Sequence, residues 1–200
     1  MQPSRAGGRK DPSVNGWAGA LLLSRQAWRG LTVPFSYPSM TTPLYRLMPL
    51  SPRVQALQQD ATTEVLTLFP VEKKEGLLTY GLPKSCGLLC EALLQDLEED
   101  LKSWARGFGM VIKDLKMPEI SPQAFRLEKG NTSTLLKGYT AIVVALGNTK
   151  YDVELVSRDK RSSQKETWEP TSALHLRETG LKAQGGHIRF LYIPLHLEPI

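Results

Sequence analysis

Cysteine and histidine are scarce in this 200-residue sequence, which holds two of the first and three of the second. Cys86 and Cys90 stand four apart in a leucine-rich stretch. That spacing is neither a disulfide framework nor a CxxC redox or zinc motif, and it predicts buried thiols in a reducing compartment. His175, His187 and His196 are too far apart in sequence to form a local metal pair. The HExxH, GxSxG, GxxxxGK[ST] and strand-linked GxGxxG signatures are all absent. Glu98, Glu99 and Asp100 fall on the polar side of a predicted helix, as solvated charges. The reading therefore assigns no catalytic residue, no metal ligand and no cofactor. No run approaches the roughly 18 apolar residues that span a membrane.

Acidic residues are nearly missing from the first 59 positions. Seven basic side chains there face the single acid Asp11, a net of +6, while the remaining residues carry 18 basic and 19 acidic groups, a net of −1. Such asymmetry predicts that residues 1–59 form a flexible basic arm that meets phosphates, acidic lipid headgroups or an import receptor. Arg5, Arg9, Lys10, Trp17, Arg25, Trp28 and Arg29 are its candidate membrane- or phosphate-contacting residues. Residues 16–31, with an apolar run to Leu23 and arginines at 25 and 29, suit a mitochondrial presequence or an interfacial helix equally well. Prolines 34, 38, 43, 49 and 52 then mark an extended linker.

Residues 60–200 read as one α+β domain. Strands are predicted over 62–71 and 76–82, pairing as a hairpin. A helix is predicted over 84–106, where Leu89, Leu93, Leu97 and Leu101 line one face and Glu91, Gln95, Glu98, Glu99 and Lys102 the other. Further strands are expected at 109–117, 124–127, 139–146, 150–158 and 187–197, with a tight turn at Gly147-Asn148. Pro194 favours an edge or bulge in the last of these. Residues 158–165 read as a polar loop whose Arg158, Lys160, Arg161 and Lys165 make a second, weaker basic patch. The expected architecture is a mostly antiparallel sheet packed on one long amphipathic helix.

This order of basic arm, strand, long helix, sheet and late hairpin resembles the matrix proteins of rhabdoviruses. The local likenesses are residues 77–104, Glu166-Thr-Trp, and Gly186-His-Ile before a β-rich end; the PPxY motif usual in such arms is absent. The resemblance implies a non-enzymatic structural protein, peripheral to membrane inside the cell. It would bind anionic membrane or nucleoprotein through its arm, meet protein partners and self-associate through its domain. The alternative is a mitochondrial matrix protein with a cleaved presequence, whose α+β module binds RNA, ribosome or a protein complex.

Overall fold

Helix formation starts where the proline-spaced stretch ends. The computed structural model describes residues 45–200 apart from Asp114, Lys116, Met117, Glu119 and Leu136. Strand β1 (Tyr45–Pro49) lies within the stretch read as linker. Ser51 then caps helix α1 (Pro52–Thr67), its hydroxyl accepting from the Val54 amide at 3.4 Å, with proline at the first turn. The strand expected over residues 62–71 is thus overturned. Its β-branched Thr62, Thr63, Val65 and Thr67 signal strand, but Val54, Gln58, Ala61 and Val65 repeat at helical spacing and are buried. Gln58 donates to the carbonyls of Ala145 and Pro170 at 2.7 and 2.8 Å, pinning α1 to the sheet behind it.

The short hairpin β2 (Glu72–Lys74) and β3 (Leu77–Thr79) follows. Its turn passes through Glu75 at φ 46° and Gly76 at φ 78°, and a side chain at Gly76 would strike that of Asn131. Helix α2 (Lys84–Arg106) has the predicted bounds, with Leu89, Leu93 and Leu101 in the core.

Nine strands complete the chain order: β4 (Met110–Lys113), β5 (Gln123–Leu127), β6 (Thr132–Ser133), β7 (Tyr139–Ala145), β8 (Tyr151–Ser157), β9 (Ser163–Trp168), β10 (Ser172–Arg177), β11 (Thr179–Ala183) and β12 (Ile188–Pro199). They form two antiparallel sheets. The larger runs β1-β10-β7-β12-β5-β3-β2, with β4 also on β12, and the smaller runs β6-β11-β8-β9. From β5 onward the chain keeps returning from one sheet to the other. That path over eight strands is a jelly roll, and it replaces the expected single sheet on one long helix. The expected hairpin of residues 139–146 with 150–158 also dissolves. Gly147-Asn148 turns the chain, but β7 and β8 belong to different sheets.

Alternation along each strand builds two cores. Ile142, Val144, Leu191 and Ile193 face α1 and α2, whereas Val143, Leu174, Phe190, Leu155, Leu181 and Trp168 fill the space between the sheets. Pro194 is not at an edge. It pairs with Ala141 of β7, and on its other side it falls between Tyr192, the last partner of β5, and His196, the first partner of β4. A residue without an N–H is tolerated at that gap.

Candidate anion site at one end of the barrel

His175 alternates with Leu174 and Leu176, so it faces α2 rather than the space between the sheets. It is 2% exposed. The Arg46 Nε donates to its Nδ1 at 2.9 Å, and Thr140 Oγ1 lies 2.7 Å from its Nε2. The threonine hydroxyl donates its own proton to the Leu176 carbonyl at 2.6 Å. Nε2 must therefore carry the imidazole proton, and the ring is neutral. Burial, and then the Arg46 charge, push the His175 pKa down to about 3. Arg46 continues to Asp100 at 2.8 Å, and Trp104 meets the imidazole edge-on at 4.2 Å. This chain of contacts fastens β1, β7, β10 and α2 together. Its inner end at His175 and Thr140 is buried, while the Arg46–Asp100 pair reaches the surface.

Cys86 and Cys90 are both buried in α2, and burial is the leading cause that pushes each thiol up to about 12. Neither is a thiolate near neutrality. Native protein at pH 8 is expected to leave an aromatic disulfide reagent unreacted over minutes. Addition of urea should then release two equivalents of thiol; immediate reaction of the native protein would contradict the burial.

The end of the barrel where β8 turns into β9 is different. Ser157 Oγ donates to Asp159 at 2.7 Å, the Arg161 amide donates to the same carboxylate at 3.0 Å, and the Lys160 amide reaches the Ser157 carbonyl at 2.8 Å. The Ser157 hydroxyl, then the Arg161 amide, hold the Asp159 carboxyl below its usual range. Lys160 takes φ 59°, a left-handed value that few residues with a side chain adopt. The Arg158 amide donates to the Glu178 carbonyl at 2.8 Å, which brings the turn against the start of β11. A cavity of about 50 Å³ opens there, lined by Thr132, Thr134, Ser157, Arg158, Lys160 and Glu178, among others. Among the described residues neither Arg158 nor Lys160 has an ion-pair partner. Nearby on β10, the Arg177 guanidinium lies 4.0 Å over the ring of Phe108. Stacking of this kind leaves the in-plane N–H donors available.

Sequence reasoning noticed Arg158, Lys160 and Arg161 as a loop patch. The hydroxyls of β6 and β11 that complete the cavity gave no signal, because only the crossing between sheets brings them there. The arm candidates Arg5, Arg9, Lys10, Trp17, Arg25, Trp28 and Arg29 lie outside the described residues. No described helix is long and apolar enough to cross a membrane.

No protein-family model matches the chain, and no curated protein matches it. Solved structures resemble its fold. A Pseudomonas putida prolyl-4-hydroxylase aligns at 10% identity and TM-score 0.48, over 78% of this chain and 94% of that one. HygX from Streptomyces hygroscopicus, solved with nickel, 2-oxoglutarate and hygromycin B, aligns at 10% identity and TM-score 0.46, over 78% and 83%. OsALKBH1 aligns at 12% identity and TM-score 0.43, over 76% and 98%. At such identity and scores these likenesses bring no activity, ligand or substrate to this chain. The jelly-roll topology of the described residues overturns the expected architecture and, with it, the matrix-like, membrane-coating reading that rested on it.

HygX was solved with nickel, and non-haem iron sites are built from two histidines and a carboxylate. The described residues do not fit such a set. No three His, Cys, Asp or Glu side chains gather among them. His175 faces the helices, and His187 and His196 stand at the two ends of β12. Between the sheets the walls are Leu127, Leu135, Val143, Leu155, Leu181 and Phe190, none of which is a ligand.

Proposed function

We propose that the domain binds an anionic group, phosphate or carboxylate, at the β8–β9 end of the barrel. The observation that carries this reading is one small cavity whose lining includes Arg158, Lys160, Thr132 and Thr134 beside Leu135, Val156 and Gly180. Arg158 and Lys160 come from a single tight turn, and Thr132 and Thr134 come from a strand and loop of a different part of the chain. A guanidinium can hold either anion through two parallel hydrogen bonds. The left-handed Lys160 supports the reading, since strained backbone outside the core persists where surrounding contacts fix it and clusters at ligand-contacting turns. Glu178 lines the same cavity, so the local balance is one positive charge and a fully ionised polyanion is not required.

Titration with inorganic phosphate and, separately, with 2-oxoglutarate as a dicarboxylate tests this, read by amide shifts of residues 157–162 and 178–180. Saturable shifts at these residues are expected with one anion or both. Arg158→Glu with Lys160→Glu should weaken binding at least about tenfold, the loss of one charge-assisted contact. Shifts that never saturate, or that survive the double substitution, would sink the proposal.

A further inference from the structure

We infer that the domain has a second anion site, on the larger sheet, where Arg126 and Arg189 together hold a phosphate group. The β8–β9 turn takes no part in it. Arg126 of β5 and Arg189 of β12 are direct cross-strand partners. They share a face, because Ala124 and Leu191, their next neighbours on that face, pack in the core under the helices, while Phe125 and Phe190 turn the other way. By the same alternation Glu128 and His187 continue the two strands on the arginine side.

Like charges directly opposite one another destabilise a sheet. Glu128 offsets half of this pair, meeting Arg126 Nη2 at 2.9 Å. Arg189 meets no carboxylate among the described residues, and its Nη1 lies 3.4 Å from His187 Nε2. Burial, then Arg126 and Arg189, lower the His187 pKa, so the ring is neutral near pH 7 and feels both guanidinium groups. One net positive charge is left over. The Nε of each arginine is also out of contact with water and has no partner among the described residues. Buried donors of that kind call for an acceptor. Leu78 flanks Arg126 in the row and Leu146 flanks Arg189, so the sheet offers no polar neighbour in that role. The outer side is open, with the Arg126 and Glu128 side chains 29% and 35% exposed and His187 exposed as well. A planar carboxylate fills one guanidinium fork, whereas a tetrahedral phosphate has oxygens for two. The two anion sites are separate, since β11 begins opposite Ser157 and ends on Gly130, just past Glu128.

The test titrates the full chain with inorganic phosphate, phenyl phosphate and acetate at fixed ionic strength, read by amide shifts of residues 126–128 and 187–189. Saturable shifts are expected with both phosphates, and the tighter of the two identifies whether the group is taken free or as an ester. Acetate should bind at least about tenfold more weakly. Arg189→Gln should weaken phosphate at least about tenfold at these amides and leave the shifts of residues 157–162 as in the parent. Without phosphate, this variant should unfold at the same or a higher urea concentration than the parent, because it removes the opposed charge. Arg189→Lys keeps the charge without the fork, and its phosphate affinity should fall between the two. Shifts that do not saturate, that survive Arg189→Gln or that acetate matches would overturn the inference. So would an Arg189→Gln chain that unfolds at lower urea than the parent, since the arginine would then be a structural contact. The two groups of amides report separately, so failure here leaves the β8–β9 reading standing, and failure there leaves this one.

Discussion

Replacing Trp168 with alanine is expected to cost about 3–5 kcal/mol, the range for removing a large buried aromatic side chain. Domains are typically stable by only about 5–15 kcal/mol, so this variant should melt at a much lower urea concentration or fail to fold. The indole is fully buried between the sheets, and its Nε1 donates to the Ser172 carbonyl at 2.9 Å. It is also the only buried residue of β9, so it fixes that strand to the rest of the barrel. Trp168→Phe keeps an aromatic ring but leaves the Ser172 carbonyl without this donor. A smaller loss, about 1–2 kcal/mol, is expected. Equilibrium urea unfolding of both variants measures the difference. An alanine variant as stable as the parent would show that the sheets do not close on this side chain.

The second large effect is a loss of stability on mild acidification. His175 has its pKa pushed down to about 3 in the folded protein, whereas an unfolded histidine titrates near 6.5. Between these values the unfolded chain binds a proton that the folded chain refuses. Stability is therefore full above pH 6.5 and falls as pH drops towards 3, with a slope approaching about 1.4 kcal/mol per pH unit. From pH 6.5 to pH 5 the expected loss is on the order of 2 kcal/mol. His187 is depressed as well, by burial and then by Arg126 and Arg189, and acts in the same direction at a more exposed position. His175→Gln removes the titrating group while keeping polar contacts towards Arg46 and Thr140. That variant should be less stable at pH 7 but much flatter from pH 7 to pH 5. Equal slopes in parent and variant would mean that the imidazole is not held neutral by its surroundings.

Local pattern was a good guide where an element buries one whole face or both faces. The leucine stripe of α2 predicts its bounds, and the apolar run of β7 predicts a central strand, which Val143 and Val144 confirm by facing opposite cores. Polar strands gave little signal. Ser163, Gln164 and Lys165 read as loop because β9 buries only its last residue, and β6 is two residues long. Helix α1 was hidden by its threonines, whose preference for strands was overruled by packing against α2. The topology was least legible. Neighbours in sequence such as β7 and β8 pair with distant strands instead, so a turn between two strands says nothing about whether they share a sheet. The candidate site inherits that difficulty, since its cations are contiguous in sequence and its hydroxyls are not.

Strand β12 pairs with β7, β5 and β4, and so holds together the middle of the larger sheet. During synthesis β5 and β7 exist long before residues 188–199 have been made. Until then each lacks the partner that completes its ladder, and the apolar face of β7 has no finished core to enter. Pairings between segments so far apart in sequence are slow to form, because loop closure is unfavourable before any contact rewards it. The domain is thus committed to folding after this region leaves the ribosome, with unpaired apolar strands exposed in the interval. Holdase chaperones bind such species, and shortening the chain before residue 188 should make it aggregate.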